Sequence, residues 1–194
     1  MNTVSGWLQR FSSGWITISA FVIFFAFMVT VMPQQAAKAE ETSGGARSPD
    51  TSFFYSATEL YKMADDYGEE GRRAYIRARF SFDVIFPLVY TAFLCTALGW
   101  ITQRTFPKQS RWQYANLMPV FGMVFDFLEN ISTSVVMARY PAQSPLVDWL
   151  APVFTLVKWI FVTGSFVLLF MSFIIAAWNW VKLKTKDDRR GIHQ

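Results

Sequence analysis

Cysteine and histidine are almost missing from this sequence. The single cysteine, Cys95, lies inside an apolar run, which excludes an intrachain disulfide and any cysteine-based metal site. The single histidine, His193, is the penultimate residue, which removes His-ligated zinc and His-dependent triads from consideration. Charge is scarce as well. Asp, Glu, Lys and Arg make up 16% of the chain, and they sit in blocks. The formal charge of +4 comes from basic flanks. No Lys/Arg cluster is interleaved with exposed aromatics, so no nucleic-acid partner is expected. No internal repeat is evident.

What is present is apolar and aromatic. Over 194 residues, 53% are hydrophobic and 18% aromatic, with 20 Phe and 8 Trp. That composition is too apolar for an ordinary soluble domain and reads as one small multi-pass membrane domain. The expected architecture is an all-α membrane protein with four transmembrane helices in one bundle, plus a short amphipathic helix in the first extracytoplasmic loop.

The chain divides accordingly. Residues 1–32 are a polar start and a first span, Trp15 to Met32, just long enough to cross a bilayer. Ala37-Lys38-Ala39 has the small-x-small form of a signal-peptidase site, which offers a cleaved leader as the rival reading. The apolar run is longer than a usual leader core and the site lies several residues past its end, which favours an uncleaved span. Residues 33–52, rich in Ala, Glu, Gly, Ser and Pro, read as a flexible linker. In 53–79, Ser56-Ala-Thr-Glu59 is a capping-box pattern, followed by Leu60, Tyr61, Met63, Ala64 and Tyr67 at helical spacing, with Gly68 as a stop. Such a helix lies at the membrane surface or packs on its own loop.

Arg72, Arg73, Arg77 and Arg79 then form a basic collar leading straight into the second span. The collar is either solvated and headgroup-facing, its arginines snorkelling, or a site for an anionic headgroup. Residues 80–181 hold the remaining three spans: about Phe80 to Trp100, with a kink expected at Pro87; Leu117 to Met137; and the long run Leu146 to Val181. Residues 182–194 are a basic tail behind the Trp178 and Trp180 belt. Four spans put both termini on one side with the basic loop 104–111, and the positive-inside rule makes that side the cytoplasm of a bacterial-type inner membrane.

Polar residues inside the spans are the chemical signal. Asp126, Glu129 and Asn130 stand at i, i+3 and i+4 and share one helix face. Carboxylates at membrane depth cost several kcal/mol unless paired or wetted, so they face an interior or a cavity. At about 1.5 Å per residue from the aromatic belts, Asp83, Glu129 and Lys158 belong to the outer part of the membrane and Asp126 and Tyr90 to mid-depth. Tyr90 is then within reach of Asp126, and Lys158 of Asp83 or Glu129. One reading makes these groups interhelical glue. The other makes Asp83, Tyr90, Asp126, Glu129, Asn130 and Lys158 a ligand site, because three acids for one base exceed what glue requires.

The combination Tyr61…Gly68-x-x-Gly71-Arg72-x-x-Tyr75…Asp83-x-x-Phe86-Pro87-x-x-Tyr90…Asp126-x-x-Glu129-Asn130 resembles a pattern in small bacterial four-helix membrane proteins with no assigned activity. A looser resemblance, at the level of fold, is to the emopamil-binding superfamily of sterol isomerases and lipid-binding proteins. It implies a pocket among four spans. The isomerases of that superfamily rely on a buried acid together with His, and no intramembrane His exists here, so the resemblance implies binding without isomerase chemistry.

The expectation is therefore a protein that holds a lipid-like or cationic small molecule, or a membrane-protein partner, in an acidic cavity of the outer half of the membrane. The alternative is a lipid-modifying enzyme whose carboxylates act as general acid and base or as metal ligands. No cofactor is expected; were a metal bound, Asp83, Asp126 and Glu129 would hold it through oxygen.

Overall fold

The computed structural model describes residues 3–191, and the end of the basic tail, His193 included, lies outside them. Among the described residues there is no strand, and four helical stretches are long and apolar enough to cross a membrane: Gly14–Ser43, Gly68–Thr105, Arg111–Arg139 and Val147–Lys182. The chain has the makeup of a multi-pass membrane protein.

A short helix α1 (Thr3–Arg10) precedes the first of these stretches. Buried Ser5 donates to Asn116 Oδ1 at 2.9 Å, and Asn116 Nδ2 returns a bond to the Ser5 carbonyl at 3.1 Å. Ser13, extended, caps α2 (Gly14–Ala26) by accepting from the Ile16 amide. A π-helical turn, Phe27–Val31, passes the chain without interruption into α3 (Met32–Ser43). The stretch 33–52, read as a flexible linker, is therefore helical over its first half. Ala, Gln, Lys and Glu are strong helix formers and prolong a helix already nucleated by the span. Gly44, at φ 63°, ends it in the left-handed region that a side chain would resist.

Residues 45–56 form a strap with a 3-10 turn at Pro49–Thr51. α4 (Ala57–Asp66) starts on the expected capping box: Ser56 accepts from the Glu59 amide, and Glu59 Oε2 accepts from the Ser56 amide at 2.8 Å. Gly68, at φ 60°, turns the chain into α5 (Gly68–Arg79). The expected straight run into the second span is corrected at Phe80–Ser81, where the helix breaks before α6 (Phe82–Thr105). The break leaves Phe80 exposed while Arg79 turns inward. Pro87 sits inside the continuous α6. A 3-10 stretch, Arg111–Leu117, leads into α7 (Met118–Arg139), and α8 (Val147–Gly191) completes the chain.

α7 and α8 pack closely. A Cβ at Gly122 would lie 2.9 Å from Val162 Cγ2, and Phe121 and Phe125 both stack on Phe161. The first long helix buries no residue of α2 or α3 and leans on α6 through Phe24 on Phe93 and Phe27 on Phe82 and Phe86. Two apolar clusters result. One joins Tyr55, Leu60, Met63, Tyr75 and Val136 where α4 and α5 meet α7 and α8. The other joins Tyr90, Leu94, Leu98, Ala115 and Leu169 around α6. Along α7 and α8, Asp126, Glu129 and Lys158 fall between the residues of the two clusters.

Candidate functional site

Four carboxylates and two cations meet in this middle layer. Lys158, on α8, reaches Glu129 of α7 at 2.5 Å, and both are nearly fully buried. Arg79, on α5, reaches Asp83 of α6 at 2.8 Å across one turn. The strap supplies the fourth acid: Asp50 Oδ1 lies 2.9 Å from Arg79 Nη1 and 3.5 Å from Lys158 Nζ. Glu129 is further held by Thr155, whose Oγ1 donates to Oε1 at 2.8 Å and lies 3.0 Å from the hydroxyl of fully buried Tyr55. Asp126 lies beside Asp50 and Glu129 but outside the direct ion pairs. The Tyr90 hydroxyl donates to it at 3.1 Å and Asn130 Nδ2 lies 3.5 Å away, but among the described residues no cation pairs with it. The cluster is thus two positive charges short of its carboxylates.

Of the groups that lie outside the spans, Asp50 is the informative one. Burial alone would raise its pKa, but the charges of Arg79 and Lys158 outweigh burial and hold the carboxyl at about 2, below the ordinary 3.8. Burial first, and then the neighbouring Glu129 carboxylate, push the Tyr55 phenol up, so it stays protonated.

A cavity of about 430 Å³ opens beside this layer. Phe24, Phe82, Phe86, Val162 and Phe166 supply its apolar wall, and Asp50, Asp83, Asp126 and Lys158 its polar end. An apolar hollow with a few convergent polar groups is the usual form of a small-molecule site.

The structure brings Asp83, Tyr90, Asp126, Glu129, Asn130 and Lys158 into one layer, with Lys158 on Glu129 and not on Asp83. The collar is corrected. Arg79 is buried in the acid layer, because its side chain finds two carboxylates there. Arg72 donates to the Ala64 carbonyl at 2.8 Å and lies over the Tyr140 ring, which makes it a brace between helices. Arg73 and Arg77 stay exposed, Arg73 paired with Glu69. The carboxylate oxygens that come within 4.8 Å of one another belong to Asp50, Asp126 and Glu129, so Asp50 takes the place expected of Asp83 in the acidic trio. Asp83 pairs with Arg79 instead.

Asp50 is the residue that sequence reasoning missed. Its signal was faint: an acid after Pro49, in an otherwise weakly charged strap that ends in Phe53-Phe54-Tyr55. Only a strap folded back over the helices gives that acid a partner. Compared with known protein families, curated proteins and solved structures, the chain has no match.

Proposed function

We propose that this protein binds an amphiphile with a cationic head, the head at Asp126 and the tail along the phenylalanines of the cavity. The observation that carries the reading is that Asp126 makes no direct ion pair. Asp50, Asp83 and Glu129 each contact a buried cation, whereas Asp126, 7% exposed and lining the cavity, contacts only a hydroxyl and an amide. A buried carboxylate without a countercharge is costly, and an ammonium group entering the cavity supplies that charge.

In the same reading the four apolar stretches form one bundle in a bacterial-type inner membrane. Both termini and the 104–111 loop lie in the cytoplasm, and the strap with α4 and α5 lies on the outer side. The basic residues Arg104, Lys108, Arg111, Lys182 and Lys184 support this orientation. The bonds of Ser5 and Gln9 to Asn116 and Gln113 support an N-terminal segment that stays with the spans.

A second reading, a metal-assisted lipid-modifying enzyme, has one observation in its favour: the approach of Asp50, Asp126 and Glu129 within 4.8 Å. Lys158 already contacts two of the three, which leaves Asp126 alone of the trio to offer an unpaired carboxylate and disfavours a divalent ion held by all three.

The test is equilibrium binding of hexadecylamine to the purified protein in a non-ionic detergent. Wild type binds, and Asp126→Asn, which keeps the hydrogen-bonding shape without the charge, binds at least tenfold more weakly. Equal affinity of the two proteins would sink the reading. A rise in melting temperature with Mg²⁺ or Ca²⁺ that disappears in Asp126→Asn would turn it toward the enzyme.

A further inference from the structure

Arg79 and Lys158 converge on a single oxygen, and that oxygen belongs to a loop. Each cation already has a carboxylate from a spanning helix, Asp83 for Arg79 and Glu129 for Lys158. Asp50 is therefore a third acid shared by two pairs. It is also the most accessible of the three, its side chain 32% exposed against 8% for Asp83 and 1% for Glu129. The guanidinium is not fully used. Arg79 is 7% exposed; its Nη1 and Nη2 meet Asp50 and Asp83, but its Nε has no acceptor. Buried donors of this kind are rare and point to a group that fits them better.

The strap that delivers Asp50 is shaped like what the cavity is suited to hold. Asp50, Thr51 and Phe53 form part of the cavity lining, so the strap places a carboxylate beside an apolar ring at the polar end of the hollow. Its hold is modest. Trp159 Nε1 donates to the Ser52 carbonyl at 3.1 Å, and the Phe53 ring leans on Trp159 at 4.9 Å. Phe53 and Phe54 are 67% and 61% exposed.

We propose that Arg79 and Lys158 form an anion subsite for the carboxylate or phosphate head of an amphiphile, and that Asp50 fills it as a built-in stand-in which the ligand displaces. This deepens the reading above and rests on the cavity being an amphiphile site. Exchange of one anion for another leaves the charge count of the buried layer unchanged, so neither cation is stranded when the Asp50 carboxylate gives way. With an Asp126 oxygen within 4.8 Å of an Asp50 oxygen, the two subsites together suit a head that carries an anionic group next to an amine.

The test compares hexadecanoic acid, hexadecylamine and inorganic phosphate on wild type, Asp50→Asn and Asp66→Asn. The last removes an exposed acid from α4 as a control for net charge. Removal of the stand-in frees the subsite, so Asp50→Asn binds hexadecanoic acid about tenfold tighter than wild type, while Asp66→Asn is unchanged. Addition of Lys158→Gln with Glu129→Gln to Asp50→Asn, which removes the buried pair together and leaves Arg79 on Asp83, abolishes the gain. Equal binding of hexadecanoic acid by wild type and Asp50→Asn overturns the proposal, as does a gain that survives the added pair. If inorganic phosphate gains the same factor as hexadecanoic acid, the subsite stands with a free anion as its ligand, and the amphiphile assignment is overturned. Loss of amine binding in Asp126→Asn is read separately, so failure of the anion subsite and failure of the Asp126 site give different patterns.

Discussion

Replacement of Lys158 by Met tests the acid layer directly. The substitution keeps an unbranched chain of similar length and deletes the ammonium. Glu129 is 1% exposed and loses a partner at 2.5 Å, retaining only its hydrogen bond to Thr155. Removal of one member of a buried pair costs about 3–5 kcal/mol, because the other charge is left without compensation. The reverse change, Glu129→Gln, is milder, at about 1–3 kcal/mol, since Lys158 still has Asp50 at 3.5 Å. The double variant, Lys158→Met with Glu129→Gln, removes both members of the pair while Asp50 keeps Arg79, and recovers to within about 1–2 kcal/mol of wild type. Thermal unfolding in a mild detergent reads this as a fall of about 10 °C for Lys158→Met and a partial return in the double variant. The reasoning fails if Lys158→Met melts with the wild type, or if the double variant melts no higher than Lys158→Met alone, because residues in direct contact must then be energetically independent.

Three further outcomes follow from the same geometry. Asp126 has no cation to lose, so Asp126→Asn melts at or above the wild-type temperature; a marked fall would make Asp126 packing glue and not a site held at a cost in stability. The Asp50 carboxyl is held at about 2, below its ordinary 3.8, so its stabilisation is fully present above about pH 4 and disappears as pH falls through about 2. Its worth is about 1–2 kcal/mol after allowance for partial exposure. Melting temperatures of wild type and Asp50→Asn converge over that window, and parallel curves would remove Asp50 from the pairing. Ser56→Ala breaks the capping box and weakens α4 by about 1 kcal/mol, which hydrogen exchange detects as faster opening of residues 57–66; unchanged protection there would show that packing of Leu60 and Met63 alone fixes the helix.

Much of this protein was determined by the sequence alone. Long apolar runs can satisfy their backbone in lipid only as helices, so four such runs specify four long helices. Asp126, Glu129 and Asn130 share a face because the helical period dictates it, and Tyr90 meets Asp126 because equal rises from two aromatic belts bring them to one depth. The capping box at Ser56 and Glu59 is local chemistry, legible over four residues. The tertiary structure decided the rest. Arg79 reads as one of four collar arginines until the break at Phe80–Ser81 turns it inward, and nothing in a period of 3.6 announces that break. Asp50 is one acid in a strap that carries no periodic signal, and it acquires meaning only when a fold across more than a hundred residues brings it to Lys158. Local patterns fix which way a helix faces; charge pairing between distant segments depends on where the connecting loops cross, and that is set by the packing of the whole.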